Sequence, residues 1–197
     1  MSDQLGKLWP RVGTLALAAL LAACSINSRP PADQTDHIFL TLPVPPGLDR
    51  DIVAVQQLEA AYSQRRVRLQ ALVEASSDRV AVALNMPLGP RVATIEWTAK
   101  AIEMRRDIEP ADGASVEPSS ILQDMVLVYW PEELVRRSLD AGYLLTIDDH
   151  GRTVTESGRT IAVIRYDDDD PWNGRTWLRN EDLGYELSII SQVAPDA

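Results

Sequence analysis

The residues of this chain that could carry acid, base or metal chemistry are few and lie close together in sequence. His150 follows Asp148 and Asp149, and four consecutive aspartates run from Asp167 to Asp170. A histidine beside carboxylates can act as a hydrolytic base, but no Gly-x-Ser-x-Gly motif supplies a nucleophile for it. Clustered carboxylates can bind calcium, yet this run lacks the spacing of an EF-hand loop. The sequence therefore predicts no catalytic residue, no metal site and no cofactor, and a protein that is not an enzyme.

The only cysteine, Cys24, stands at the end of a leader. Lys7 and Arg11 precede a short apolar run over residues 12–23 that ends in small residues, which is the layout of a secretory signal. A helix needs roughly 20 apolar residues to span a bilayer core, so this run is too short for a permanent span. We expect residues 1–23 to be removed as a signal peptide.

Leu21-Ala22-Ala23-Cys24 resembles the lipobox of bacterial lipoproteins. The resemblance implies that Cys24 is the lipid-attachment residue and the acylated first residue of the mature chain. Each buried methylene contributes about 0.8 kcal/mol, so several acyl chains hold a soluble domain firmly at a membrane. Ser25 stands where an aspartate would retain an enteric lipoprotein at the inner membrane, which implies the periplasmic face of the outer membrane in a Gram-negative bacterium. The alternative is an ordinary cleaved signal followed by an unmodified thiol.

Charge limits the partners that this chain can have. It has 19 Lys+Arg against 29 Asp+Glu among 197 residues, a net charge of -10. An acidic surface repels phosphate backbones, which argues against nucleic acid as a partner. The same negative charge is also repelled by anionic lipid surfaces. The membrane contact expected here is therefore the acylated Cys24.

The first part of the mature chain has the composition of a tether. Five prolines favour extended backbone over regular pairing: Pro30, Pro31, Pro43, Pro45 and Pro46. We expect a Pro-rich tether over residues 24–50 and a single half-barrel domain over residues 51–192. The apolar piece over residues 38–40 is expected to dock on that domain as an edge segment.

Alternating apolar and polar side chains indicate half-buried antiparallel strands on both sides of a helical region. Residues 52–62 are read as a first strand, although their alanines and glutamines favour a helix. The other expected strands cover residues 66–75, 80–86, 91–99, 101–107, 143–147, 153–156, 161–166, 175–180 and 185–190.

The helical region lies between the two runs of strands. Apolar residues at helical spacing over residues 121–129 predict one helix, with Ser119 or Ser120 as its N-cap. Pro131 starts a second short helix, and Gly142 is expected to close it. This order predicts a mainly antiparallel β fold with two helices, in which a strongly curved sheet or incomplete β-barrel is covered by a helical lid.

Several short motifs resemble an uncharacterised bacterial lipoprotein family that is often encoded beside aryl-polyene pigment genes. They are Pro87-Leu88-Gly89, Trp130-Pro131-Glu132-Glu133-Leu134, Ile164-Arg165-Tyr166, Asp170-Pro171-Trp172 and Tyr185-Glu186-Leu187. The likeness covers the chain from about Leu42 onward. The element order and the Pro87-Leu88-Gly89 turn are also remotely similar to the LolB/LolA lipoprotein-localisation fold.

The LolB/LolA resemblance implies an apolar cavity for acyl chains between the sheet and its lid. LolB carries an exposed leucine in an Asn-Pro-Leu-Gly turn, and Leu88 matches it, although Met86 separates Asn85 from Pro87 here. An apolar residue on a Pro-Gly turn is also expected to protrude on physical grounds. Apolar residues on such faces are more often plain core than pocket wall. The candidate cavity residues are Leu69, Val73, Val82, Leu84, Ile95, Trp97, Met104, Ile121, Met125, Val128, Ile161, Val163, Leu187 and Ile189.

Two functional hypotheses follow from these features. The first is an outer-membrane-anchored lipoprotein that binds or transfers an acylated lipid or lipoprotein cargo in an apolar cavity. The second is a non-catalytic scaffold or assembly lipoprotein that holds an envelope biosynthetic complex at the membrane. A filled interior would favour the second hypothesis, and neither hypothesis names a protein partner.

Overall fold

Ten strands in one antiparallel sheet and two helices make up the architecture. The computed structural model describes residues 38–108 and 117–194. In chain order the elements are β1 (Ile52–Tyr62), β2 (Arg65–Ala75), β3 (Arg79–Asn85), β4 (Arg91–Thr98), β5 (Ile102–Arg106), α1 (Pro118–Tyr129), α2 (Glu132–Ser138), β6 (Tyr143–Asp148), β7 (Gly151–Glu156), β8 (Arg159–Tyr166), β9 (Gly174–Asn180) and β10 (Tyr185–Val193).

The first and last strands lie side by side in the middle of the sheet. The strand order is β5-β4-β3-β2-β1-β10-β9-β8-β7-β6, and every neighbouring pair is antiparallel. The two outermost strands, β5 and β6, do not pair with each other, so the sheet is not closed into a barrel. The predicted class is confirmed: a mainly antiparallel β fold with two helices, in which a curved sheet carries a helical lid.

Alternation of side chains gives the sheet an inner face and an outer face. On β2, Ala71 and Val73 are buried while Leu72 is exposed, and on β1 Ala54 is buried while Val55 is exposed. We call the face with the buried residues the inner face. β1 pairs along its whole length with β2 and over most of it with β10, and this pairing overrides the helix preference of its alanines and glutamines.

α1 packs on the inner face and is buried on almost every side. Leu122, Val126, Leu127 and Val128 have no exposed surface. The predicted cap at Ser119 or Ser120 is wrong, because the helix begins after Glu117 with a proline in its first turn and has no side-chain cap. Proline suits this position because the first helical N–H groups have no partner within the helix.

α2 ends earlier than predicted. Its last residue is Ser138, and Leu139 is already extended and forms a β-bridge with Leu40. Gly142, expected to close the helix, instead has a φ of 100° in the turn before β6. The helix stops because its end pairs with the N-terminal segment, whose Thr41 N–H donates to the Ser138 carbonyl at 2.7 Å.

The N-terminal segment is part of the packed structure from Phe39 onward. Phe39 and Leu40 are buried, as the expected docking of residues 38–40 requires, and the Phe39 ring stacks on Tyr143 with centroids 5.3 Å apart. Leu48 is buried as well. Residues 38–50, which the sequence assigned to the tether, therefore pack on the domain.

Some predictions concern residues outside those that the structure describes. Cys24 and the signal peptide over residues 1–23 are among them. Neither α1 nor α2 is long and apolar enough to cross a bilayer.

Candidate functional site

The C-terminal end of α1 is tied to the sheet through its own carbonyl groups. Arg152, on the inner face of β7, donates from Nη1 to the carbonyls of Leu127 and Trp130, both at 2.8 Å. The Tyr166 hydroxyl on β8 donates to the Val128 carbonyl, also at 2.8 Å. The last carbonyls of a helix have no partner within the helix, so these bonds satisfy groups that would otherwise be buried without one.

Burial sets the electrostatics of this contact. Desolvation lowers the pKa of Arg152, whose guanidinium lies over the Tyr166 ring at 5.9 Å from its centroid. Desolvation also raises the pKa of Tyr166 to about 12, against a smaller lowering by the Arg152 charge. The phenol is therefore neutral at physiological pH and available as a donor to the helix.

Two further polar contacts join α1 to the two central strands of the sheet. The Tyr185 hydroxyl on β10 donates to Asp124 Oδ2 at 2.5 Å. Gln56 on β1 donates from Nε2 to the Tyr129 hydroxyl at 2.9 Å, and burial raises the pKa of Tyr129. α1 is thus bonded to the central strands β1 and β10 as well as to β7 and β8.

Aromatic rings fill the space beneath α1. Trp97 stacks on Trp130 with centroids 5.7 Å apart, and Tyr129 stacks on Trp172 at 4.0 Å. A side chain that has no solvent-accessible surface contacts neither bulk solvent nor an internal cavity large enough to hold a water molecule. Trp130, with no such surface, and Trp97, with almost none, show that this part of the inner face is closed.

The candidate cavity residues fall into two groups. Nine are buried in the core: Val73, Val82, Leu84, Ile95, Trp97, Met125, Val128, Ile161 and Ile189. Five are only partly buried: Leu69, Met104, Ile121, Val163 and Leu187. The buried group is packed side chain against side chain, so an acyl chain can reach it only if α1 moves away from the sheet.

Val163 does not belong with the others, and its assignment to the cavity is wrong. It pairs with Arg179 and Thr153 on the outer face. A register shift between β7 and β8 places Ala162 opposite Val154 and Thr160 opposite Thr155, which leaves Ile161 as an extra residue. Such a bulge reverses the alternation of side chains beyond it, so Ala162 and Ile164 face inward instead.

The inner face continues beyond the helices as an apolar shelf. We define this shelf as the half-buried or exposed inner-face residues Leu58, Ala60, Val67, Leu69 and Leu187. They are cross-strand neighbours, since Leu58 pairs with Leu69, and Ala60 pairs with both Val67 and Leu187. Val67 is 49% exposed, so the shelf is open to solvent at the end of β1 and β2.

The Leu88 turn stands beside this shelf. The last pair between β2 and β3 joins Gln70 to Asn85, and Met86 follows Asn85 directly. Leu88 is fully exposed, with a relative accessibility of 108%, which confirms the predicted protrusion. Its φ of 54° lies in the left-handed region, which costs an L-residue about 1 kcal/mol or more. A leucine is thus held in solvent where a glycine would be less strained.

The acidic residues singled out in the sequence lie at the opposite end of the strands. Asp148, Asp149 and Asp167–Asp169 line a depression of about 380 Å³ together with His150. Asp170 accepts a hydrogen bond from Arg50 at 2.7 Å and from the Trp172 N–H at 3.1 Å, which fits a structural loop. Within the described ranges, no group of histidine, cysteine and carboxylate side chains is arranged to hold a metal ion.

Two parts of the site were not predicted from the sequence. Arg152 was not predicted as a site residue, because an arginine in a strand of alternating polarity is expected to face solvent. Val67 and Leu58 belong to the apolar face of their strands. The sequence around an apolar strand residue does not show whether a helix covers that residue in the folded protein. Whether α1 covers such a residue depends on how far α1 extends along β1 and β2.

The open antiparallel sheet, the helices across its inner face and the exposed shelf define a half-barrel protein with a lid. The chain matches, over residues 53–193, a family described as a protein of unknown function (DUF3261), and it belongs to that family. This agrees with the expectation of an uncharacterised family. A comparison with curated proteins finds no match.

Proposed function

We propose that this protein is an outer-membrane-anchored lipoprotein that binds or transfers an acylated cargo. The cargo would lie with its acyl chain along the apolar shelf, and Leu88 would contact the chain or the receiving membrane during transfer. Cys24 would supply the anchor at the periplasmic face. The proposal depends most on one observation, the full exposure of Leu88 in a strained conformation beside an open apolar surface.

Physical chemistry supports this assignment. Exposed apolar surface is costly unless a ligand, a partner or a lipid covers it, at roughly 25 cal/mol per Å². Strained backbone is kept where the surroundings or the function require it. The sequence resemblance to LolB, and to lipoproteins encoded beside aryl-polyene genes, points to a lipoprotein or a polyene-bearing lipid as the cargo.

A binding assay tests the proposal. The full chain carrying Cys24→Ser, which has no acyl chains of its own, should bind a fluorescent fatty-acyl probe at micromolar concentration. Val67→Glu should weaken binding about tenfold, since it puts a charge on the shelf. Leu144→Glu is the matched control, because Leu144 is 67% exposed on β6 and away from the shelf. Absence of probe binding, or equal binding by the Val67 variant, would contradict the proposal.

Leu88 is tested separately through transfer. Leu88→Glu should keep probe binding and slow delivery of the probe to vesicles, because a carboxylate is excluded from the acyl region of a bilayer. Equal delivery rates for the variant and the unmodified chain would remove Leu88 from the proposal.

The closed space beneath α1 favours a second function. A protein whose interior is occupied by Trp97 and Trp130 needs no ligand to complete its core. A scaffold lipoprotein that holds an envelope biosynthetic complex would use its acidic surface for salt-sensitive contacts with proteins. Salt-sensitive capture of a protein partner by a chain that binds no acyl probe would favour this alternative.

A further inference from the structure

The topology of the sheet places the Leu88 turn among the ends of four neighbouring strands. Asn85 pairs with Gln70 on β2 and with Arg91 on β4, and Ala93 pairs with Arg106 on β5. Adjacent strands lie about 4.8 Å apart, so β2 to β5 span about 15 Å. The exposed turn thus lies between the start of β2 and the end of β5.

Arginines surround the turn on these strand ends. We define the arginine collar as Arg65, Arg66 and Arg68 on β2, Arg91 on β4, and Arg105 and Arg106 on β5. The side chains of Arg66 and Arg68 are each 73% exposed and that of Arg105 is 68% exposed. These guanidinium groups can therefore reach a flat surface that contacts Leu88.

Among the described residues, three collar arginines, Arg66, Arg68 and Arg105, pair with only two carboxylates, those of Glu59 and Asp107. Arg66 and Arg68 share the single carboxylate of Glu59, at 2.8 and 2.7 Å. Arg105 pairs with Asp107 at 3.3 Å. Arg91, next to the turn, is exposed. The chain has a net charge of -10, but this total does not show how the charges are distributed. In the folded structure, positively charged side chains are grouped around the Leu88 turn.

A cluster of aspartate side chains lies at the end of the strands opposite to the Leu88 turn. Asp78 is in the β2–β3 turn, Asp149 is in the β6–β7 turn, and Asp167–Asp170 follow β8. β2 has 11 residues, so its ends are about 35 Å apart. The Debye length in physiological salt is about 8 Å, so the acidic end is screened from a surface that touches the Leu88 turn.

We infer that the Leu88 turn and the arginine collar form a docking surface for an anionic phospholipid bilayer. Leu88, with Met86 and Pro87, enters the boundary of the acyl region, and the guanidinium groups bind headgroup phosphates at the same depth. Each basic residue near an anionic membrane adds to the attraction, which falls with salt. The inference deepens the proposed function, because it orients the shelf toward the membrane that would receive or release a cargo.

Vesicle flotation tests this inference with the full chain carrying Cys24→Ser. Binding should be stronger to vesicles of phosphatidylcholine with phosphatidylglycerol than to phosphatidylcholine alone, and should weaken as salt rises. The triple variant Arg66→Glu, Arg91→Glu and Arg105→Glu should lower partitioning at least about tenfold. The matched control reverses three arginines away from the turn, Arg50→Glu, Arg79→Glu and Arg175→Glu, and should change partitioning less than about twofold.

The outcomes are distinguishable from those of the cargo assay. Circular dichroism and thermal unfolding establish that both triple variants are folded. Equal flotation with and without phosphatidylglycerol, or equal losses in the two triple variants, would overturn the docking surface. Acyl-probe binding should be unchanged in the collar variant, so failure of the probe assay with intact, lipid-selective flotation would remove the proposed cargo function alone.

Discussion

Trp97 on β4 and Trp130 at the end of α1 stack with their ring centroids 5.7 Å apart and an interplanar angle of 28°. The Trp130 indole N–H also donates to the Pro46 carbonyl at 2.5 Å. One side chain therefore joins the sheet, the lid and the N-terminal segment. This contact closes the space beneath α1.

Trp130→Ala should lower the free energy of unfolding by about 3–5 kcal/mol, because it leaves a cavity and an unpaired Pro46 carbonyl. Trp177→Ala is the control, since Trp177 is 44% exposed on the outer face. Its cost should stay within about 1 kcal/mol. Urea unfolding of the two variants measures the difference, and equal costs would mean that the Trp97–Trp130 stack does not support the lid.

Leu88→Gly should leave stability unchanged or raise it by about 1 kcal/mol, since glycine adopts a φ near 54° without strain. Transfer of an acyl probe to vesicles should fall in the same variant. Ser157→Gly is a matched control, because Ser157 has a φ of 49° in the β7–β8 turn. It should have a similar effect on stability and none on transfer. A large destabilisation by Leu88→Gly would show instead that the leucine packs on the protein.

Arg152→Met should destabilise the fold by about 2–4 kcal/mol, because the carbonyls of Leu127 and Trp130 lose their donor inside the protein. Arg165→Met serves for comparison: the Arg165 side chain is 43% exposed and lies 3.4 Å from Asp148. Its cost should be below about 1 kcal/mol. Hydrogen exchange should show faster opening of α1 in the Arg152 variant only, and unchanged exchange would exclude Arg152 as a support of the helix.

Alkaline pH should destabilise the protein through Tyr166. The phenol has a pKa of about 12 when folded against about 10 when unfolded, so only the unfolded chain loses the proton between these values. The stabilisation is present below pH 10 and is lost as the pH rises toward 12, by about 2–3 kcal/mol. Tyr166→Phe should make the unfolding free energy less dependent on pH in this window. An unchanged dependence would assign the effect to other groups.

Much of the fold could be predicted because strand alternation is a local property. β2 and the strands after Gly142 lie close to where the alternation of apolar and polar residues predicted them, and β1 was predicted from the strands that follow it. The errors occur where a distant contact decides the outcome. α2 ends at Ser138 because Thr41 bonds to it, and Val163 faces outward because a bulge at Ile161 shifts the register.

The candidate site divides in the same way. The exposure of Leu88 follows from a Pro-Gly turn, so it was predicted and is confirmed. Leu69 and Leu187 were among the predicted cavity residues, but the open part of the shelf could not be predicted, because the half-burial of Leu58 and the exposure of Val67 depend on what packs above β1 and β2. The bonds from Arg152 to the helix depend on a register among strands that are far apart in sequence.

By itself the sequence determined the order of strands and helices and the protruding turn, since each depends on residues within one short segment. Only the tertiary structure decided which apolar residues are sealed beneath α1 and which remain open, and where the charges gather. The physical reason is that burial and charge separation depend on residues brought together by strand pairing. Alternation along one strand cannot show what lies above it, and a net charge of -10 cannot show that arginines surround Leu88.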